Sequence, residues 1–239
     1  MASPATDYYG CQPGGVISAG RSAVSPDTAV VGDSISTELY GLSSAYWATA
    51  LSGGRARIVA QCGVGSTGIS NWLPGIDNSY LAGFPGLAGL PNLGRVFFRL
   101  GTNDCWADHS YASLQASYEA LFAKLAGYAD EVYILSVPPM GGPSFDAYNY
   151  RTIEYNAAYA AYCAAHSAQF TFVDDTAVMR NPDGTQKPEY FHTDRLHFGG
   201  GGMYYAGLAL ANVLNARLYS LPSPVERVVN DIYPAGNEW

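Results

Sequence analysis

Lysine is nearly missing from this 239-residue chain: Lys124 and Lys187 are the only two, ten arginines are scattered singly, and the formal net charge is −8. A nucleic-acid partner requires a basic stripe to neutralise phosphates, and no such stripe is present. The same shortage disfavours an anionic membrane surface. No apolar run reaches the roughly eighteen residues that span a bilayer, so no transmembrane segment is expected. Met1 to Gly20 lacks a basic stretch followed by an apolar one, and no secretory signal is visible there. The four cysteines, Cys11, Cys62, Cys105 and Cys163, nowhere show the C-x-x-C spacing. That argues against a zinc site or a thioredoxin-like motif and leaves free thiols and disulfides both open.

Apolar side chains are plentiful. They make up 48% of the residues against 13% charged, enough to build an ordinary core rather than a disordered chain. Residues 1–27 are rich in Ser, Pro, Gly and Ala and read as an N-terminal extension or linker. From Thr28 to Tyr219 apolar strands alternate with helical patterns, and residues 220–239 read as a tail. The strands are Thr28–Val31, Ala56–Cys62, Arg95–Leu100, Glu131–Val137 and Gln169–Val173. Helical spacing is seen in Ser36–Ser52, Ser110–Tyr128, Tyr150–His166 and Met203–Tyr219. Five such strands predict a parallel sheet buried on both faces, an α/β class, three-layer α/β/α sandwich. Ile69–Leu93, rich in Gly, Pro and Leu, has no clear period; a lid or binding loop and a packed elaboration are both open.

Ligands of doubly wound sheets sit beyond the carboxyl ends of the strands, so the residues there matter most. They are Gly32-Asp33-Ser34, then Gly63-Val64-Gly65-Ser66, then Gly101-Thr102-Asn103-Asp104, with Asp194-Arg195-Leu196-His197 before the last helix. A serine hydroxyl becomes nucleophilic when a neighbouring base takes its proton. Histidine does so near neutral pH, and a carboxylate on its other nitrogen fixes the tautomer. Ser34, His197 and Asp194 are therefore the candidate catalytic residues. The amides of Ser34 and Gly65 and the side chain of Asn103 are candidate oxyanion donors. Competing readings accompany each. Ser34 can cap a helix, Asn103 and Asp104 can shape a turn, and Gly63 rivals Gly65. Ser66 and Cys105 are alternative nucleophiles. Asp174-Asp175 suggests a metal pair, although neighbouring strand residues point to opposite faces. Trp72, Trp106 and His109 are candidate substrate contacts.

These four ordered blocks resemble the SGNH hydrolase (GDSL esterase/lipase) family across about residues 28–219. The resemblance implies a flavodoxin-like sheet of order 2-1-3-4-5 and a catalytic domain over that span. It also implies a serine esterase that works through an acyl-enzyme and needs no metal or organic cofactor. The expected substrate is a small-molecule or polysaccharide ester, with O-acetyl groups on a carbohydrate favoured by the Tyr and Trp content and the low charge. A lipase or longer-chain carboxylesterase, an acyltransferase and a silent glycan-binding module are the alternatives. An extracellular or phage-tail setting suits this composition, and the oligomeric state is left open.

Overall fold

The computed structural model describes residues 25–37, 43–76, 87–90 and 93–216. Cys11, the N-terminal extension to Val24 and the tail lie outside the described residues. Five strands form one all-parallel sheet: β1 (Asp27–Gly32), β2 (Arg57–Gly63), β3 (Leu93–Arg99), β4 (Ala129–Leu135) and β5 (Phe170–Val173). Their order is β2-β1-β3-β4-β5, as the family resemblance implied. After β2 the chain steps over β1 to begin β3, so the direction of winding reverses between β1 and β3. Connections leaving those two strands diverge to opposite faces and open a crevice at their carboxyl ends.

Side chains alternate between two cores along each strand, as the pleat demands. Ala29, Val31, Val96, Phe98, Val132 and Ile134 enter one core. Val30, Phe97, Tyr133, Leu135 and Val173 enter the other. Helices α4 (Tyr111–Tyr128) and α5 (Asn149–Ala165) supply Tyr118, Leu121, Phe122, Tyr155 and Tyr159 to the first. Helices α1 (Ser44–Leu51) and α6 (Gly200–Ala216) pack on each other and supply Ala45, Ala48, Leu210 and Leu214 to the second. Central β3 is buried at every position; Val96, Phe97 and Phe98 are apolar, and the flanking Arg95 and Arg99 are paired with Glu131 and Asp175.

Two expectations from periodicity need correction. The helix foreseen over Ser36–Ser52 is a 3₁₀ turn at Ser34–Ser36 followed by α1 from Ser44; residues 38–42 lie outside the described residues. Asp33, not Ser34, caps the turn, its Oδ1 accepting from the Ile35 N–H at 3.0 Å. The other correction concerns Ile69–Leu93, which contains a short helix, α2 (Ile69–Gly75). Ile69, Trp72, Ile76 and Leu87 from this segment are fully or almost fully buried, and Leu87 N–H bonds the Ile76 carbonyl at 3.0 Å. These described parts are therefore packed structure; Tyr80 and Phe84 lie outside the described residues.

Candidate active site

Ser34 follows β1 at the crevice. Strands β1 and β3 approach closely just below it. A Cβ on Gly32 would stand 2.1 Å from the Arg99 carbonyl oxygen, and Asp33 N–H donates to that oxygen at 3.2 Å. The Asp33 side chain is wholly buried, and burial pushes its carboxyl up to about 6 despite the opposing Ile35 N–H, Thr102 and Arg99. Asp33 thus shapes the turn that presents Ser34.

The Ser34 hydroxyl meets the imidazole of a residue 163 positions later: Oγ lies 2.8 Å from His197 Nε2. Nδ1 of that ring is 2.7 Å from Asp194 Oδ2. The other carboxylate oxygen, Oδ1, accepts from the Leu196 and His197 N–H groups at 2.9 and 3.0 Å. Asp194 is part-buried, and this raises its carboxyl. The two backbone N–H groups and the His197 ring outweigh the effect and hold it below the usual carboxylate range. A carboxylate kept ionised beside Nδ1 fixes that nitrogen as the proton-bearing one and leaves Nε2 to accept from Ser34.

Arg195, between these partners, has φ of 61°, which bends the loop back on itself. Gln186 holds that bend. Its Nε2 donates to the Pro139 and Arg195 carbonyls at 2.9 and 2.8 Å, and its Oε1 accepts from Arg195 Nε at 3.0 Å. Nothing in the local sequence marks Gln186, since its partners come from two other loops.

Asn103 opens the short helix α3 (Thr102–Trp106) after Gly101, whose φ of 123° a residue with a Cβ would adopt only under strain. Asn103 Nδ2 donates to the Thr67 carbonyl at 2.9 Å. An amide nitrogen carries two hydrogens, so one N–H is left for the crevice. Gly65 borders Ser34, with a Cβ built on it standing 3.9 Å from Ser34 Cβ. Asp104 is structural: Oδ2 accepts from Ile69 N–H at 3.0 Å and from Tyr118 hydroxyl at 2.6 Å.

Trp72 is not a substrate contact. It is fully buried, with Nε1 donating to Thr67 Oγ1 at 3.0 Å, because α2 turns its apolar side inward. Trp106 is 47% exposed and meets Phe145 edge-on at 5.4 Å, and His109 is exposed. Among the rival nucleophiles, Ser66 sits exposed on a left-handed bend, while His197 Nε2 is engaged by Ser34. Cys105 is wholly buried, and burial followed by the Asp104 charge pushes its thiol far above the usual range. Asp174 and Asp175 do not act as a pair: Arg180 binds the first and Arg99 the second. Cys62, Cys105 and Cys163 are free and buried.

A parallel sheet of this order, with a hydroxyl, an imidazole and a carboxylate in line at its carboxyl edge, is an arrangement that fits a hydrolase acting on esters. The chain belongs to the GDSL-like Lipase/Acylhydrolase family, whose model matches residues 30–204. Similar solved structures share the fold. A Streptococcus pneumonia protein described in connection with platelet activating factor is 24% identical, with a TM-score of 0.62 over 78% of this chain and 83% of that one. A variant of an acetyl-xylooligosaccharide esterase from Geobacillus is 15% identical, with a TM-score of 0.61 over 82% and 96%. A GDSL-like lipase from Bacteroides thetaiotaomicron is 15% identical, with a TM-score of 0.60 over 81% and 89%. No match was found among curated proteins. Among the described residues, no helix is long and apolar enough to cross a membrane.

Proposed function

We propose that this protein is a serine esterase that removes O-acetyl groups from a carbohydrate through an acyl-enzyme on Ser34. The unbroken line of contacts Ser34 Oγ to His197 Nε2 at 2.8 Å and His197 Nδ1 to Asp194 at 2.7 Å carries this reading. Ser34 Oγ attacks the ester carbonyl carbon as its proton passes to His197 Nε2. The resulting oxyanion accepts from the Ser34 and Gly65 N–H groups and the second N–H of Asn103. Collapse breaks the bond to the sugar oxygen, which takes the proton from Nε2 and leaves as the alcohol. Water then attacks the acyl-enzyme, giving a proton to Nε2. Collapse frees acetic acid and returns that proton to Ser34.

Two observations support an acetylated carbohydrate. Trp106 stands one helical turn beyond Asn103 and exposes 47% of its surface beside Phe145, an aromatic edge suited to the apolar face of a sugar ring. One structurally similar protein is an acetyl-xylooligosaccharide esterase.

Acetate release from a panel of acetylated glycans, with Ser34→Ala as control, tests the proposal. A serine-reactive phosphonate should label Ser34, and the absence of an adduct on folded protein would favour a silent binding module. On nitrophenyl esters, turnover should peak at the acetyl chain; a peak at six carbons or more would identify a lipase-type pocket instead. A product carrying the acyl group on an added acceptor alcohol would identify transfer rather than hydrolysis.

A further inference from the structure

One strongly polar cluster beneath the crevice is not used by the chemistry above. Arg99, the last residue of β3, is 1% exposed, and its guanidinium pairs with the Asp175 carboxylate just past β5, itself fully buried. The opposite oxygen of Asp175 accepts from the Ser136 hydroxyl at 2.9 Å, at the exit of β4. The exits of three neighbouring strands are thereby tied by one ion pair and one hydrogen bond. The guanidinium carbon also lies 5.0 Å from the centre of the Phe198 ring. Phe198 directly follows His197, is 1% exposed, and is fixed on its other side by Phe191 at 5.6 Å and by a backbone bridge to that residue. Through its own carbonyl, Arg99 holds the Asp33 N–H next to Ser34.

A buried ion pair is a weak device for stability, because desolvating two charges offsets much of their attraction. Its value lies in geometry, since a planar guanidinium admits few arrangements. Here the guanidinium carbon lies over the face of a ring one residue from the general base, and the same residue's backbone bonds the chain one residue from the nucleophile.

We propose that Arg99, held by Asp175, is a positioning residue that sets the Ser34–His197 contact from below, acting on the imidazole through the face of Phe198. The role rests on the Ser34–His197 reading above. It makes no contact with substrate, so it governs turnover and leaves substrate binding alone.

The test is a mutant cycle on kcat. Arg99→Met alone leaves Asp175 as an unpaired buried charge, so the informative change is Arg99→Met with Asp175→Asn. We expect kcat to fall about tenfold with KM within about twofold, and the rate of phosphonate labelling at Ser34 to fall in parallel. Phe198→Leu, which keeps both charges and an apolar side chain of similar reach, should lose about the same. All three changes together should cost about tenfold in total rather than about a hundredfold, because both routes act on one contact.

Wild-type kcat in Phe198→Leu, or losses that multiply, would overturn the proposal. Phe198→Leu alone decides the matter if the double variant does not fold. Ser34→Ala assayed alongside reports on the triad itself: turnover surviving there removes the chemistry, whereas normal turnover in Phe198→Leu removes only the positioning role.

Discussion

Asn103 Nδ2 donates to the Thr67 carbonyl at 2.9 Å, joining the residues that follow β3 to those that follow β2, thirty-six positions apart. The bond spends one N–H on the scaffold and leaves the other for the proposed oxyanion. Asn103→Ala should therefore lower kcat by about 10²–10³ with a modest change in KM, the mark of a donor that matters most in the transition state. Losing the Thr67 contact as well should cost about 1 kcal/mol of stability. Steady-state kinetics together with urea unfolding measure the two effects separately.

Ser34→Ala should fold normally and lose nearly all turnover, because the hydroxyl is part-exposed and packs nothing essential. Asp194→Asn should cost about 10⁴ in kcat, as expected when Nδ1 faces an amide instead of a carboxylate and the wrong tautomer is favoured. The amide oxygen can keep the place of Oδ1, which receives two backbone N–H groups, and this turns the NH2 toward Nδ1. Near-normal rates in this variant would mean that another acceptor orients His197.

Trp72 and Trp106 should separate cleanly. Trp72 is a fully buried core residue, so Trp72→Ala should destabilise by about 3–5 kcal/mol. Trp106 is 47% exposed beside Phe145, so under the proposed function Trp106→Ala should leave the melting temperature nearly unchanged and raise KM for an acetylated oligosaccharide more than for a nitrophenyl acetate. Equal effects on the two substrates would remove Trp106 from sugar recognition.

Asp33 should make the protein less stable as pH rises. Its carboxyl lies at about 6 in the fold against 3.8 ordinarily, mainly through burial. Below about pH 4 both states are protonated. Between about pH 4 and 6 the folded chain holds a proton that the unfolded chain has released, so folding weakens through that window. Above it the accumulated loss is about 3 kcal/mol. Relative to Asp33→Asn, which has no such proton, the wild type should lose about that much between pH 3.5 and 7 in urea titrations. Parallel curves for the two proteins would show that the buried carboxyl carries no such penalty.

Short-range chemistry was what the residues revealed most directly. Asp194 and His197 stand three positions apart, so one bend brings both side chains together and their spacing alone suggests a pair. Gly101 and Asn103 mark a strand exit by the same local logic. Trp72 misled because a helix of seven residues inside a Gly- and Pro-rich stretch has too few turns to show a period, and an aromatic there looks like a loop residue. Gln186 was silent, since a buried amide that bridges Pro139, Arg195 and its own loop has no signature in its neighbours.

By itself the order of residues determined the layered α/β build, because strands buried on both faces must be mostly apolar and the helices between them must show one apolar side. It also marked the four blocks that meet at the crevice. Only the tertiary structure decided that Ser34 and His197, 163 positions apart, come within 2.8 Å, and that Arg99 meets Asp175 across seventy-six positions beneath them. Those contacts depend on how β1, β3, β4 and β5 lie side by side and on where the loops after them descend. Pairing at that range is a property of the packed sheet, and no stretch of sequence carries it.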